Sequence, residues 1–211
     1  MSTPPRVACF DLGGVVIRIC QSWEEGCRAA GVPMRFDADR ELDRARMSEL
    51  VHAHQTGAME SEEFHRRVSD LMRQRHSPAE LRRIHDAWIL GAYDGLEPLL
   101  DRLHRAGLET ACLSNTNHDH WAAMESIPAF RAIRRRHASH LLRLAKPDPA
   151  IYRAFEAATG FDGRSIIFFD DLIPNVEAAR QAGWTSLLVD PSRPTEPQIR
   201  EGLERHGVRL P

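Results

Sequence analysis

The sequence is almost without lysine. Of its 28 basic residues one, Lys146, is a lysine and the rest are arginines. Asparagine is nearly as scarce, confined to Asn115, Asn117 and Asn175, in a background rich in Arg, Ala and Pro that fits GC-rich coding. Wherever a generic cation would serve, this chain uses arginine. A lone ammonium therefore marks a position that needs a compact point charge rather than a planar fork. Charge of one sign is also missing: the formal net charge is −2, which removes the usual reason to expect nucleic acid or an anionic membrane as partner. No apolar run approaches the ~20 residues of a transmembrane helix, and Met1-Ser2-Thr3-Pro4-Pro5-Arg6 lacks the apolar stretch of a secretory signal. Cysteine is limited to Cys9, Cys20, Cys27 and Cys112, with no C-x-x-C spacing. Free, buried thiols in a reducing compartment are expected. These absences predict a soluble, cytoplasmic protein, expected as a monomer or homodimer.

At 211 residues the chain can hold one sizeable core, or a core domain that carries an insertion. Three short apolar runs stand out by how they end. Val7-Ala8-Cys9-Phe10 stops at Asp11 and the pair Gly13-Gly14; Thr110-Ala111-Cys112-Leu113 stops at Ser114-Asn115; Ile166-Ile167-Phe168-Phe169 stops at Asp170-Asp171. Run length and punctuation predict buried strands, and in an open α/β sheet ligands bind where the carboxyl ends of strands converge. Three such ends assemble a nucleophile, hydroxyl and amide donors, and metal-binding acids. The bland alternative for Asp170-Asp171 alone is a helix cap or turn pair. With Asp11 and Lys146 alongside, that alternative weakens.

Between the first strand and the others lies a different kind of sequence. Val15 to Cys20 is a short β-prone stretch, read as a flap beside the site. From Gln21 to Tyr93 the apolar marks fall at helical spacing, broken at Gly57; one helix runs from Ser61 past Phe64, Val68 and Leu71. Another opens at Ser77-Pro78-Ala79-Glu80, a capping box with Pro at the first helical position, and is expected to carry Leu81, Ile84, Trp88 and Ile89. No convincing strand is read in this block. Afterwards strands and helices alternate: helix 96–106, strand 109–113, helix 118–124, strand 135–139, helix 149–159, strand 165–169, helix 175–182 and strand 185–189. A last helix is capped by Thr195-Glu196-Pro197-Gln198. The pattern implies a doubly wound, Rossmann-like parallel α/β sheet, with residues 1–20 and 94–211 forming the core domain and residues 21–93 an inserted helical domain.

FDLGGVV, LSNTN, AKPDP and FFDDLIPNVEAA, in this order and spacing, resemble the four motifs of the haloacid dehalogenase-like hydrolases. The likeness covers nearly the whole chain, and residues 21–93 fall where that family inserts a helical cap. The stretch from His54 to Phe64 is similar to a cap segment of one branch, which includes bacterial sugar-phosphate phosphatases and the phosphatase domain fused to some epoxide hydrolases. The resemblance implies a Mg²⁺-dependent phosphatase of a small, sugar-phosphate-like metabolite, working through an aspartyl-phosphate. It makes Asp11 the nucleophile and, with Asp170 and the carbonyl of Gly13, a metal ligand. Ser114, Asn115, Lys146 and Gly14 would bind the phosphoryl group, with Lys146 neutralising its charge. Asp171 would act through water or orient Lys146.

Two positions depart from the pattern. Gly13 stands where many of these phosphatases carry a second Asp that serves as general acid and base, worth ~10²–10⁴-fold; the named branch also has Gly there. Arg143 stands where related sequences often place Gly, and is expected on the surface. Two rival functions remain open: a metal-independent 2-haloacid dehalogenase, disfavoured by the acid pair, and a catalytically weak phosphate- or partner-binding relative. The 11 histidines include His52/His54 and His118/His120, whose i, i+2 spacing puts each pair on different sides of a helix and disfavours a zinc site. His52, His54 and Trp23 are candidates to face substrate. Tyr93 and Trp88 are read as hinge or core residues, and Arg134-Arg135-Arg136 as a solvated edge.

Overall fold

A computed structural model describes residues 5–38 and 42–211. Five strands form one sheet in the order β5-β4-β1-β6-β7: β1 (Val7–Phe10), β4 (Glu109–Ser114), β5 (Arg135–Ala138), β6 (Ile166–Asp170) and β7 (Thr185–Leu188). Every pairing is parallel, with Phe10 opposite Cys112 on one side and Phe169 on the other. A central parallel strand is covered on both faces and so reads as an unbroken apolar run. All of β1 and β6 is buried accordingly. Ala8 and Phe10 point into a cluster with Leu99, Leu100, Phe130, Ile199 and Leu203, supplied by the helices Leu96–Arg105, Pro128–Ala132 and Thr195–Arg205. Val7 and Cys9 face Ile151, Tyr152, Phe155 and Ala179, supplied by Pro149–Thr159 and Ile173–Gln181. Thus β1 lies at the point where strand order reverses, with the ends of β4 and β6 on either side of it. That is the switch point at which such sheets open a crevice.

The helices Trp23–Ala30, Arg44–Gln55, Ser61–Leu71 and Pro78–Asp86 pack around their own core, which includes Cys27, Phe64, Val68, Leu81 and Ile84. The Ser77/Glu80 capping box is formed as expected. The expectation that this stretch holds no strand is corrected. The Pro78 helix stops at Asp86, so Trp88 and Ile89 lie beyond it, and Ile89–Ala92 is β3, antiparallel to β2 (Ile17–Ile19). The partner of β3 lies far back in the chain, and tertiary pairing of this kind overrides a short local pattern. The chain therefore enters and leaves the helical unit through a two-stranded ribbon. Thr195 is also reassigned. It makes no cap; fully buried, its hydroxyl donates to the carbonyl of Val15 at 2.8 Å and ties the last helix to the loop after Asp11. Among the described residues no helix is long and apolar enough to cross a membrane.

Candidate active site

The ends of β4, β1 and β6 bring Ser114, Asp11 and Asp170 side by side, and Lys146 reaches them from the loop before the Pro149 helix. Lys146 is buried, with its ammonium 2.6 Å from Asp170 Oδ2, 3.0 Å from Asp11 Oδ1 and 5.2 Å from the ring centre of Phe168. Burial works against the charged ammonium, yet Asp11 and Asp170 outweigh it and hold its pKa above the ordinary lysine value. Asparagine supplies the frame. The Asn115 amide grips the backbone of Lys146 at both ends, donating to its carbonyl and accepting from its N–H, each at 2.8 Å. Lys146–Pro147 is a cis peptide bond. Asn175 donates to both oxygens of Asp170, at 3.0 and 3.2 Å, and Leu172 N–H donates to Oδ1 at 2.9 Å.

Of the two roles open to Asp171, acting through water or orienting Lys146, the second falls to its neighbour: Lys146 pairs with Asp170 and Asp11. Asp170 closes β6 and its side chain stays in the core, whereas Asp171 steps onto the turn and is half-buried. Burial, then Asp11, then Asp170, push the Asp171 carboxyl up to about 7. Burial foremost, with Asp170 adding to it against Lys146, likewise raises Asp11. Oxygens of Asp11, Asp170 and Asp171 lie within 4.8 Å of one another, and the Lys146 ammonium is the cation that Asp11 Oδ1 meets, at 3.0 Å. Fully ionised, three carboxylates against one ammonium would leave an excess of two negative charges. Such a donor set fits a hard divalent cation.

The role expected of Gly14 is corrected as well. Its N–H donates to Ile17 O at 2.9 Å and is not free for phosphate. Gly14 is required for another reason: its φ is +78°, and a Cβ there would collide with the Asp171 carboxylate. Asn115 can offer phosphate only its backbone N–H, because its side chain is committed to Lys146. Asn175 was not singled out as a site residue beforehand. The signal was present, since all three asparagines of the chain serve this region.

A family model for haloacid dehalogenase-like hydrolases matches residues 5–183. The chain belongs to the haloacid dehalogenase-like hydrolases. Among curated relatives, this haloacid dehalogenase-like hydrolase is 33% identical to a phosphatase, MT3486, from Mycobacterium tuberculosis over 56% of its own length and 55% of the relative's. It is 31% identical to enolase-phosphatase E1 from Streptomyces avermitilis over 54% and 48% respectively. The chain thus spans about half the length of the curated relatives it matches. In fold it is similar to an enzyme of this family from Bacteroides thetaiotaomicron, BT-2542, at a TM-score of 0.78 and 21% identity, over 94% of this chain and all of the other. That enzyme has also been crystallised with magnesium. A dehalogenase captured with an intermediate aligns at a TM-score of 0.64 and 17% identity, over 90% and 86%.

In this haloacid dehalogenase-like hydrolase the loops bearing Gly13 and Ser114 open onto a cavity of about 290 Å³ beneath the helical unit. Trp88, read as a hinge or core residue, lines it together with Trp23 and His54, whereas His52 is exposed. His65, His85 and His120 complete a ring of imidazoles, with centroids 5.1 Å apart for His65–His85 and 3.9 Å for His85–His120. The proton positions follow from the bonds. Asn117 Oδ1 accepts the backbone N–H of His120, which turns its amide nitrogen toward His85 Nε2 at 3.1 Å and makes that ring nitrogen an acceptor. His85 is therefore neutral, and burial followed by its histidine neighbours lowers its pKa strongly. His120 Nε2 reaches the carbonyl of His85 at 2.8 Å. These contacts join the helical unit to the sheet domain. So do Ser139 Oγ to Gln55 O at 2.6 Å and Arg143 Nη1 to Gly57 O at 2.7 Å. Arg143 is exposed as expected, and it also fastens the Gly57 break to the core.

Proposed function

We propose that this hydrolase is a Mg²⁺-dependent phosphatase of small phosphate monoesters, with residues 21–93 acting as a cap over the site. One observation carries the reading: a buried nucleophilic carboxylate, Asp11, stands in a group of three acids compensated by a single ammonium. A dehalogenase acting on carbon gains nothing from that surplus of negative charge, whereas a divalent cation and a phosphoryl group together complete it.

In this reading an Asp11 carboxylate oxygen forms a bond to phosphorus as the ester oxygen departs in line, giving an aspartyl-phosphate and an alcohol. Water then attacks phosphorus, releasing inorganic phosphate and regenerating Asp11. Lys146 Nζ and Ser114 Oγ, with the N–H after Ser114, hold the phosphoryl oxygens. Asp11, Asp171 and the carbonyl of Gly13 would hold Mg²⁺, which when bound offsets charge on the transferring group. Asp170, already engaged by Lys146, Asn175 and Leu172 N–H, keeps the ammonium aimed rather than serving chiefly as a ligand. Gly13 offers no acid, so the leaving oxygen takes its proton from water.

The test is phosphate release from an aryl phosphate. EDTA should abolish it and Mg²⁺ restore it, Asp171→Asn should raise the Mg²⁺ concentration required, and Asp11→Asn should be inactive yet folded. Halide release from a 2-haloacid by the chelated enzyme would establish the dehalogenase reading instead.

A further inference from the structure

We infer that the alcohol released by this enzyme is compact, uncharged and mostly hydrocarbon, not a sugar. The inference rests on the phosphatase reading and concerns the cavity that the leaving group must occupy. Beyond the loops of Gly13 and Ser114 its walls are Ile17, Ile19, Trp23, Phe64, Val68 and Trp88. A pyranose carries a hydroxyl on nearly every carbon, and each one placed against such a wall without a partner incurs a desolvation penalty. Among the described residues no Lys, Arg, Asp or Glu lines the cavity, so a second phosphate, a carboxylate or an ammonium on the substrate would meet no counter-charge from them.

The cavity's polar residues do not reverse this. Asn115 and Asn117 are committed to Lys146 and to the His85–His120 contacts. His54 is paired with Ser61 Oγ at 3.0 Å and stacked on Phe64 at 4.3 Å. His85 and His120 lie face to face and His65 meets His85 edge on, so the imidazoles present ring surface rather than charge. What is left for a substrate is His65 Nε2, His85 Nδ1, Gln55 and Thr116, enough for one or two hydroxyls and short of the set a pyranose carries. Size sets the second limit. At about 290 Å³ the cavity falls at the lower end of the ~300–1,000 Å³ typical of ligand pockets, enough for one or two rings and too little for a long acyl chain.

The test compares cyclohexylmethyl phosphate with glucose 6-phosphate. Both place the phosphate on a primary carbon beside a six-membered ring, and they differ chiefly in hydroxyls. The sugar is the slightly better leaving group, so chemistry alone favours it. With Mg²⁺ present, kcat/KM for cyclohexylmethyl phosphate should exceed that for glucose 6-phosphate at least ~100-fold, a gap expected when polar groups go unpaired. 3-Phosphoglycerate should be turned over as poorly as the sugar. Acetyl phosphate, too small to use the walls, separates the two levels of the argument. If acetyl phosphate is hydrolysed and the sugar or the carboxylate ester matches the cyclohexyl ester, the apolar-alcohol inference is overturned and the phosphatase reading stands. If none of the four is hydrolysed, the phosphatase reading itself falls, and the inference with it.

Discussion

At Lys146 composition, packing and charge meet. The chain could have used arginine, as it does everywhere else, but the slot between Asp11 and Asp170 is buried, with Phe168 against the ammonium. A guanidinium is larger, and it fixes its donors in one plane. Lys146→Arg should lower kcat at least tenfold, toward the ~10²–10³-fold typical of a misplaced stabilising charge. Because the slot is buried, overpacking should also destabilise the fold by about 1–3 kcal/mol. Steady-state turnover and thermal melts of the same preparation check both; wild-type values for the two would show that any cation suffices there. Asp170 and Asp171 teach a related lesson. Adjacent in sequence and alike in chemistry, they are divided by one step of backbone: the first remains in the strand with Lys146, the second turns out toward the cleft.

At the scale of elements, the loop between β1 and β2 is held from two directions. Thr195 in the last helix bonds Val15 O, and Gly14 N–H closes onto Ile17 O. Gly14→Ala would put a side chain at positive φ, costing ~1–2 kcal/mol, and would drive a methyl into the Asp171 carboxylate. We expect a lower melting temperature and at least a tenfold rise in the Mg²⁺ concentration needed for half-maximal phosphate release. An unchanged Mg²⁺ curve would mean that Asp171 is not where the metal sits. The ribbon of β2 and β3 shows the reverse of this legibility. Its pairing was invisible locally, because Trp88 and Ile89 continue the helical spacing of Leu81 and Ile84.

For the molecule as a whole, the imidazole ring between cap and core sets a pH limit. Burial lowers His54 to about 4, with His65, His120 and His140 adding to it against Asp119. Burial lowers His65 too, with Arg82 and His120 on the same side and Asp119 and Asp86 opposed; His120 is lowered by burial despite Asp119, Asp86 and the carbonyl of His85. The unfolded chain takes up these protons near pH 6.5, while the folded protein resists them. The stability owed to these imidazoles is therefore complete above about pH 6.5 and falls as pH drops toward the folded values, while protonation of the raised Asp171 and Asp11 carboxyls offsets it. By pH 5 His54 alone removes about 2 kcal/mol, or roughly 4–8 °C of melting temperature for a domain of this size. His85→Gln keeps an acceptor for Asn117 and removes one competing charge, so its profile should be shallower. Because the carboxyls of Asp171 and Asp11 are raised and act in the opposite sense over this range, the check is the difference between the two proteins: wild-type and His85→Gln profiles that run parallel from pH 7 to 5 would contradict a neutral imidazole ring.

Sequence by itself determined the parallel α/β class, the main strands and helices after Leu96 and the helices, though not the strand, of residues 21–93. It also pointed to Asp11, Ser114, Lys146 and the acid pair. Those are features of local pattern: apolar runs with polar ends, helical spacing, and one lysine among arginines. Only the tertiary structure decided which acid holds Lys146, that Gly14 serves by lacking a side chain, and that Asn117, His85 and His120 join cap to core. It alone also decided that the cavity under the cap is walled by hydrocarbon and neutral rings. The physical reason is distance along the chain. Each of these contacts joins segments that no periodicity connects, so nothing in the sequence near one partner encodes the identity of the other.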